Sequence, residues 1–479
     1  MAQAASPQQA AAAEPLDLSA LQAAKLVRSG ELQAADLTAA YLARIGRFEP
    51  EFNSFRTIDA DRALARARDI DHAVARGEDP GPLAGVPVAL KDNIAIAGVR
   101  MSAASGFRRD VAPEIEDAPV TAGLKRAGAV ILGSLHMSEW AIGGTTQNVH
   151  FGYGHNAWDR DRVPGGSSGG SGAAAAAGLA LVTIGTDTGG SIRLPASLNG
   201  VVGLRPTHGR VSNRASIPVA WSFDTIGPLA RRAEDVALVL GAIAGYDVGD
   251  PASIDAPVAD YVAAVGSGVD GLKVGVLRGP FRSAPLADGI RARLDDAERA
   301  LAGLGVTLED ATLDGLERGI ELTADLLLAE AAAVHADRLA SNPDGFAPDV
   351  QTRLRRGQGV TGPAYGAGRQ EQRAWRRKVD ELLREHDVLL SPACPIPAPL
   401  AAESDPLPMT AVLAHFTGVW VLAGVPALVV PIGFVDGMPV AMQLIGRHFD
   451  EGRLLALAHA YQQVTDWHLQ RPPDGPAAG

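Results

Sequence analysis

The sequence predicts an α/β layered fold on a largely parallel or mixed sheet. From residue 85 onward, short and wholly apolar runs alternate with helix-like segments, as expected of strands covered by helices. The composition agrees: 479 residues, 47% hydrophobic and 20% charged, can bury a large core and are too apolar for a disordered chain. At ~100–200 residues per domain the length allows two or three domains, or one large α/β unit with a short tail.

Residues 1–16 are biased to Ala and Gln, lack the basic and apolar signal-peptide pattern, and are expected to form a disordered tail. Ser19 can N-cap a first helix that carries Leu21, Ala24, Lys25 and Val27 and ends at Gly30. A second helix spans residues 35–48 with Leu37, Tyr41, Ile45 and Phe48 on one face, and a third, over 59–76, is rich in Asp and Arg. Residues 85–90 then read as a buried strand that delivers Lys91, Asp92 and Asn93 at its end. A helix over 119–127, a strand over 129–132, a small-residue helix over 172–179 and a strand over 180–184 follow. The loop-like stretch 247–257 marks a lobe boundary, residues 272–277 start a new strand, and helical patterns dominate 286–384. Strands over 388–390, 427–431 and 440–444 return the C-terminal lobe to the same sheet.

Charge and composition exclude several classes. A formal net charge of −12 argues against a general nucleic-acid binder, which needs a positive face. The lone cysteine, Cys394, cannot form an internal disulfide and sits between prolines with no neighbouring histidine, so a structural thiol in a reducing compartment is expected. The longest apolar stretch, 419–435, is broken by Gly424, Pro426, Pro431 and Gly433 and is too short for a membrane helix. A cytoplasmic protein with no membrane contact is the expectation. No Cys/His cluster has metal-ligand spacing.

Glycine accounts for 54 residues, above the usual ~7%, and with serine it peaks at residues 164–172 and 185–193. A flexible linker does not fit segments set between core elements. No phosphate-loop or dinucleotide spacing is present. A serine nucleophile remains. The match of residues 166–170 to G-x-S-x-G, centred on Ser168, lacks the buried strand that such an elbow needs before it. Ser191 is the better nucleophile, because it follows a buried strand and a glycine-rich turn whose N–H groups can converge on an oxyanion. Its base would be Lys91, since no histidine stands in a triad context. Taken alone, however, Lys91 reads more readily as a surface lysine.

Residues 165–177 and 185–197 resemble the amidase signature family, as do 82–93, 203–212, 222–228 and 422–427. The resemblance covers residues 17–470, with a signature core over about 83–228 and a C-terminal lobe over about 266–470 in a single domain spanning 17–479. It implies a three-layer α/β/α fold with a large central mixed sheet covered by helices. It also implies a Ser–Ser–Lys triad: nucleophile Ser191, base Lys91, and Ser167 relaying the proton after a cis peptide bond from Gly166. The amides of Thr188, Gly189, Gly190 and Ser191 would form the oxyanion hole. Asp187 and Arg193 would brace the loop, Ser168 and Ser171 would serve structure, and Asp92 would point its carboxylate away from Lys91.

These expectations lead to a stand-alone serine hydrolase that cleaves the C–N bond of an amide (an aryl amide, carbamate or urethane) through an acyl-enzyme. The acyl-transfer mechanism implied by the resemblance needs neither metal nor organic cofactor. The alternative is the glutaminase subunit of a tRNA-dependent amidotransferase. The family's glutaminase subunits hold the glutamine ammonium with an acidic residue near the Leu-Ala-Gly segment, whereas residues 408–425 here contain no Asp or Glu. His415, Phe416 and Trp420 would instead shape an apolar pocket, though the i,i+4 spacing of Phe416 and Trp420 reads equally as a core stripe; Met137, Gly143 and Gly144 join the site on the family's pattern. The expected partner is a small-molecule amide or carbamate, with no nucleic acid, in a monomer or homodimer.

Overall fold

A computed structural model describes residues 16–473; of the expected tail, all but Leu16 lies outside the described residues. Ser19 caps the helix Ala20–Arg28 as a reciprocal capping box: its Oγ accepts the Gln22 amide (3.1 Å), and Gln22 Oε1 accepts the Ser19 amide (2.9 Å). The helix Ala34–Phe52 begins at Gln33, which supplies no side-chain cap; the carboxylate of Asp71, from the helix Ala60–Ala75, takes the Ala34 and Ala35 amides instead (2.6 and 3.0 Å). It buries Leu37, Tyr41, Ile45 and Phe48, the face marked by the sequence.

One mixed sheet of eleven strands runs through the molecule. Its strands are β1 (Phe55–Ile58), β2 (Pro87–Lys91), β3 (Val130–Leu135), β4 (Val182–Asp187), β5 (Val202–Arg205), β6 (Thr225–Ala230), β7 (Lys273–Leu277), β8 (Thr307–Ala311), β9 (Val388–Pro392), β10 (Ala427–Val435) and β11 (Met438–Ile445). They lie in the order β1-β3-β2-β4-β6-β5-β10-β11-β9-β7-β8. The parallel neighbours are β3/β2, β2/β4, β9/β7 and β7/β8; the remaining pairs are antiparallel. The large mixed central sheet of the expected α/β fold is present. Strands β7 to β11 join the rest of it through the β5/β10 pair.

The sequence pattern missed β1, β5, β6 and β8. The first three are short or lie in glycine- and polar-rich segments. Strand β8 is an edge strand with exposed Thr307 and Asp310, so the alternation that marks a core strand is absent. Among the described residues no helix is long and apolar enough to cross a membrane.

What matters for function is the register of β2 and β4. These parallel neighbours align Leu90 with Ile184, so their C-terminal ends deliver Lys91 and the segment Gly185–Asp187 side by side. Ligand sites in sheets with parallel strands commonly form beyond such ends.

Candidate active site

Lys91 is fully buried, so the surface-lysine reading of the isolated segment is corrected: its strand is interior and the side chain has nowhere else to go. Its Nζ donates to Ser167 Oγ (2.7 Å) and to Thr186 Oγ1 (2.8 Å). Burial drives the ammonium's pKa down to about 7, against the opposing pull of Asp187 and Asp224. Asp92 turns away. Its carboxylate accepts the hydroxyl of Ser102 and the amides of Ser102 (3.2 Å) and Ala104 (3.4 Å), and burial raises it to about 6.

The peptide bond between Gly166 and Ser167 is cis. A side chain at 166 has no room, because its Cβ would stand 2.8 Å from Ser138 Oγ and from the carbonyl carbon of Gly144. The Ser138 amide holds the Ser167 carbonyl (3.0 Å), and the Ser168 amide holds the Ser191 carbonyl (3.2 Å), which ties the two serine loops together. Ser168 Oγ donates to the Thr186 carbonyl (3.1 Å) and Ser171 Oγ to the Ile184 carbonyl (3.2 Å), so both hydroxyls are spent on the backbone of β4.

A buried ion cluster fixes the loop before Ser191. Arg193 grips Asp187 through two bonds (Nε–Oδ2 2.9 Å, Nη2–Oδ1 3.0 Å), and Arg205 Nη1 stands 3.3 Å from Oδ1. Although burial alone would raise it, these guanidiniums hold the Asp187 carboxyl well below the usual carboxylate range. The same carboxylate accepts the amides of Gly190 (2.9 Å) and Ile192 (3.2 Å). This corrects one expectation for the oxyanion hole, because the Gly190 N–H is committed to Asp187 in a side-chain turn. Gly190 has φ +138°, and a Cβ there would collide with the Thr417 hydroxyl, whose Oγ1 donates to the Gly189 carbonyl (2.7 Å). Thr188 Oγ1 donates to Asp224 Oδ1 (2.6 Å).

Ser191 is partly exposed at a cavity of about 440 Å³ that is also lined by Gly143, Gly144, Gly166, Thr188 and Gly189. The outer walls come from three helices: Ile320, Thr323, Ala324, Leu327 and Leu328 of Leu316–Val334; Thr352, Arg353 and Arg356 of Pro348–Gln358; and Leu407, Pro408, Thr410 and Ala411 of Pro406–Leu413. Among its described lining residues none is acidic. Arg353 is bound to Asp349 and donates to Thr410 Oγ1 (2.8 Å), while Arg356, bound to Asp325 (2.9 Å), is exposed at the rim.

Several expected pocket residues lie elsewhere. Phe416 and Trp420 are fully buried and stack on Phe281 (ring centroids 5.9 and 5.8 Å), so their i,i+4 spacing marks a core stripe. His415 packs edge-on to Phe416 behind them (4.8 Å), and Met137 is buried in a cluster with Trp140. The arginines and apolar residues of the three wall helices were missed, since a wall-forming face has the same periodicity as a core-forming one. Cys394 is buried with its thiol pushed up to about 12. Among the described residues no group of three or more His, Cys, Asp or Glu is placed to hold a metal ion.

The Amidase family model matches residues 36–455. The chain belongs to the amidase signature family. It is 38% identical to a glutamyl-tRNA(Gln) amidotransferase subunit of Carboxydothermus hydrogenoformans, over 95% of this chain and 99% of that protein. It superposes with a TM-score of 0.88 and 36% identity on a chain from a vestigial protein complex that reveals the evolutionary origins of an s-triazine catabolic enzyme (93% and 98% covered). With a TM-score of 0.85 and 32% identity it also matches the peptide amidase of Stenotrophomonas maltophilia (95% and 98%). Relatives named as subunits of a tRNA amidotransferase overturn the expectation of an amidase with only a small-molecule partner and no nucleic acid. The net charge behind that expectation describes the whole surface and does not report on one local face.

Proposed function

We propose that this amidase signature enzyme is the amide-cleaving subunit of an amidotransferase acting on tRNA, with Ser191 as its acyl-accepting nucleophile. The observation that carries this reading is its 38% identity, over nearly the whole of both chains, to a relative of that name. In the proposed mechanism Ser191 attacks the amide carbonyl and passes its proton to Ser167, which passes its own to neutral Lys91. A pKa of about 7 makes the amine available near neutral pH. The amides of Thr188, Gly189 and Ser191 stabilise the oxyanion, and the Asp187 turn holds the loop that carries them. The proton returns with the leaving amine, and water then cleaves the acyl-enzyme. Arg356, exposed at the cavity rim, supplies a cation toward which a substrate carboxylate, such as that of glutamine, can orient, while Arg353 is held by Asp349, Thr410 and the Pro406 carbonyl.

One observation favours a second reading, a self-contained hydrolase of apolar amides: the cavity is mostly apolar and none of its described lining residues is acidic, so nothing pairs with an α-ammonium. Ammonia release from glutamine, compared with hydrolysis of an apolar anilide and a carbamate, separates the two when each is measured with and without an added partner protein. Glutamine turnover that rises with the partner supports the amidotransferase. Turnover of the anilide or carbamate by the chain alone, with glutamine inert in both settings, overturns it.

A further inference from the structure

A second cavity, of about 680 Å³, is linked to the first by hydrogen bonds between their linings. Asp224 lines it, while Thr188 and Val219, which this carboxylate holds by Thr188 Oγ1 (2.6 Å) and the Val219 amide (2.9 Å), line the cavity at Ser191. None of its walls enters the mechanism above except through that carboxylate.

Its charged groups are unequally occupied. Asp224 also accepts the Ala220 amide (3.1 Å), and Asp250 accepts the amides of Asn213 (2.7 Å) and Ala252 (2.9 Å), so both acids are already engaged. Arg214 is spent on Asp247 (2.8 Å). Arg369 and Arg376, two turns apart on the helix Gly362–Glu385, are different. Arg376 gives only its Nε, to the Leu422 carbonyl (3.0 Å). Arg369 stands 3.9 Å from Glu330, whose oxygens accept the Ser222 amide (3.0 Å) and the Tyr365 hydroxyl (2.7 Å). Its Nη1 is buried without a hydrogen-bond partner. Burial, and then the neighbouring Arg369, push the Arg376 guanidinium below its ordinary value, a cost that a bound anion would relieve. Beside them Trp221 is 51% exposed, its carbonyl 3.3 Å from His208 Nε2.

We propose that this cavity binds a small organic anion, its carboxylate or phosphoryl group held by Arg369 and Arg376 and its planar ring packed on Trp221. Guanidinium forks suit either oxyanion, and an exposed indole suits a flat ring.

Calorimetric titration of the full chain with benzoate, adenosine monophosphate, inorganic phosphate and benzyl alcohol tests the assignment. Benzoate or adenosine monophosphate should bind saturably and more tightly than phosphate or benzyl alcohol, each of which supplies only half of the recognised group. The tighter of the two identifies a carboxylate or a phosphoryl ligand. The double variant Arg369→Gln/Arg376→Gln should weaken binding by about 10–100-fold, as expected for lost charge-assisted hydrogen bonds. Should that variant fail to fold, Trp221→Ala, at an exposed position, should reduce the ring-bearing anions to the affinity of phosphate. Saturation by neither anion, equal affinity of benzyl alcohol, or unchanged affinity in the folded double variant or in Trp221→Ala would overturn the proposal.

Discussion

Replacing Asp187 with asparagine should cost about 3–5 kcal/mol of stability, the usual consequence of removing one partner from a buried ion pair. The substitution preserves shape and removes one acceptor oxygen and the charge. In the native cluster Arg193 binds both oxygens at 2.9 and 3.0 Å, Arg205 stands at 3.3 Å, and the Gly190 and Ile192 amides occupy the remaining lone pairs at 2.9 and 3.2 Å. All three charged side chains are fully buried, so solvent replaces nothing that is lost. An asparagine keeps one acceptor. It loses at least one charge-assisted bond to Arg193, about 1.5–3 kcal/mol, and one amide bond, about 1 kcal/mol, and it leaves two guanidiniums without a counter-ion. Urea unfolding followed by circular dichroism, at neutral pH and at about pH 3, is the assay. The carboxyl is held low in the folded chain, so its contribution is full above the unfolded value of ~3.9 and shrinks below it as acid protonates the carboxyl of the unfolded chain but not of the folded one. The gap between the two proteins should therefore narrow in acid. A neutral-pH loss below about 1 kcal/mol, or a gap that widens in acid, would refute the view that charge holds this loop.

Ser191→Ala should abolish turnover and labelling by a serine-reactive probe, leaving a rate lower by on the order of 10⁴-fold or more; labelling that moves to Ser168 would transfer the nucleophile there. Lys91→Ala should lower kcat by about 10²–10⁴-fold. In the unaltered enzyme, kcat/KM should rise as pH passes upward through about 7, where Lys91 loses its proton, and a flat profile between pH 6 and 9 would count against a lysine base. Gly190→Ala should reduce activity by about 10²-fold or more through the displaced loop, because its Cβ meets the Thr417 hydroxyl; retained activity would mean the loop shifts freely. Phe416→Ala should destabilise by about 3–5 kcal/mol as a core truncation with KM little changed, whereas a large rise in KM without loss of stability would return Phe416 to the pocket.

The legible part of the molecule is the part where local chemistry restricts the backbone. Ser19 announced a helix start, and the unbroken apolar run before Lys91 announced a buried strand; both are where the pattern puts them. The serine loops were legible because their glycines answer to close contacts, as at Gly166. The cavity walls were not. Leu327 and Leu328 line the cavity at Ser191 while Phe416 and Trp420 fill the core, and no periodicity distinguishes an apolar residue facing a void from one facing another side chain. Lys91 shows the same limit from the other side. Its charge suggested the surface, and only the pairing of β2 between β3 and β4 reveals that it is enclosed.

Asp187 and Asp224 each carry a structural and an electrostatic role, which constrains how the lysine can be tuned. Asp187 anchors the Gly190 amide, and Asp224 anchors Thr188, so both shape the loop before Ser191. Both also raise the pKa of Lys91, opposing the burial that lowers it to about 7. Without them a lysine buried to this extent would titrate lower still, becoming a weaker base though more fully neutral. Asp224 is itself raised by burial to about 6, so its pull is lost in mild acid, just where the lysine would otherwise hold its proton. Lys91 therefore stays poised near neutrality only while the carboxylates that hold the loop remain ionised. Loop geometry and proton affinity are thereby linked through the same two side chains.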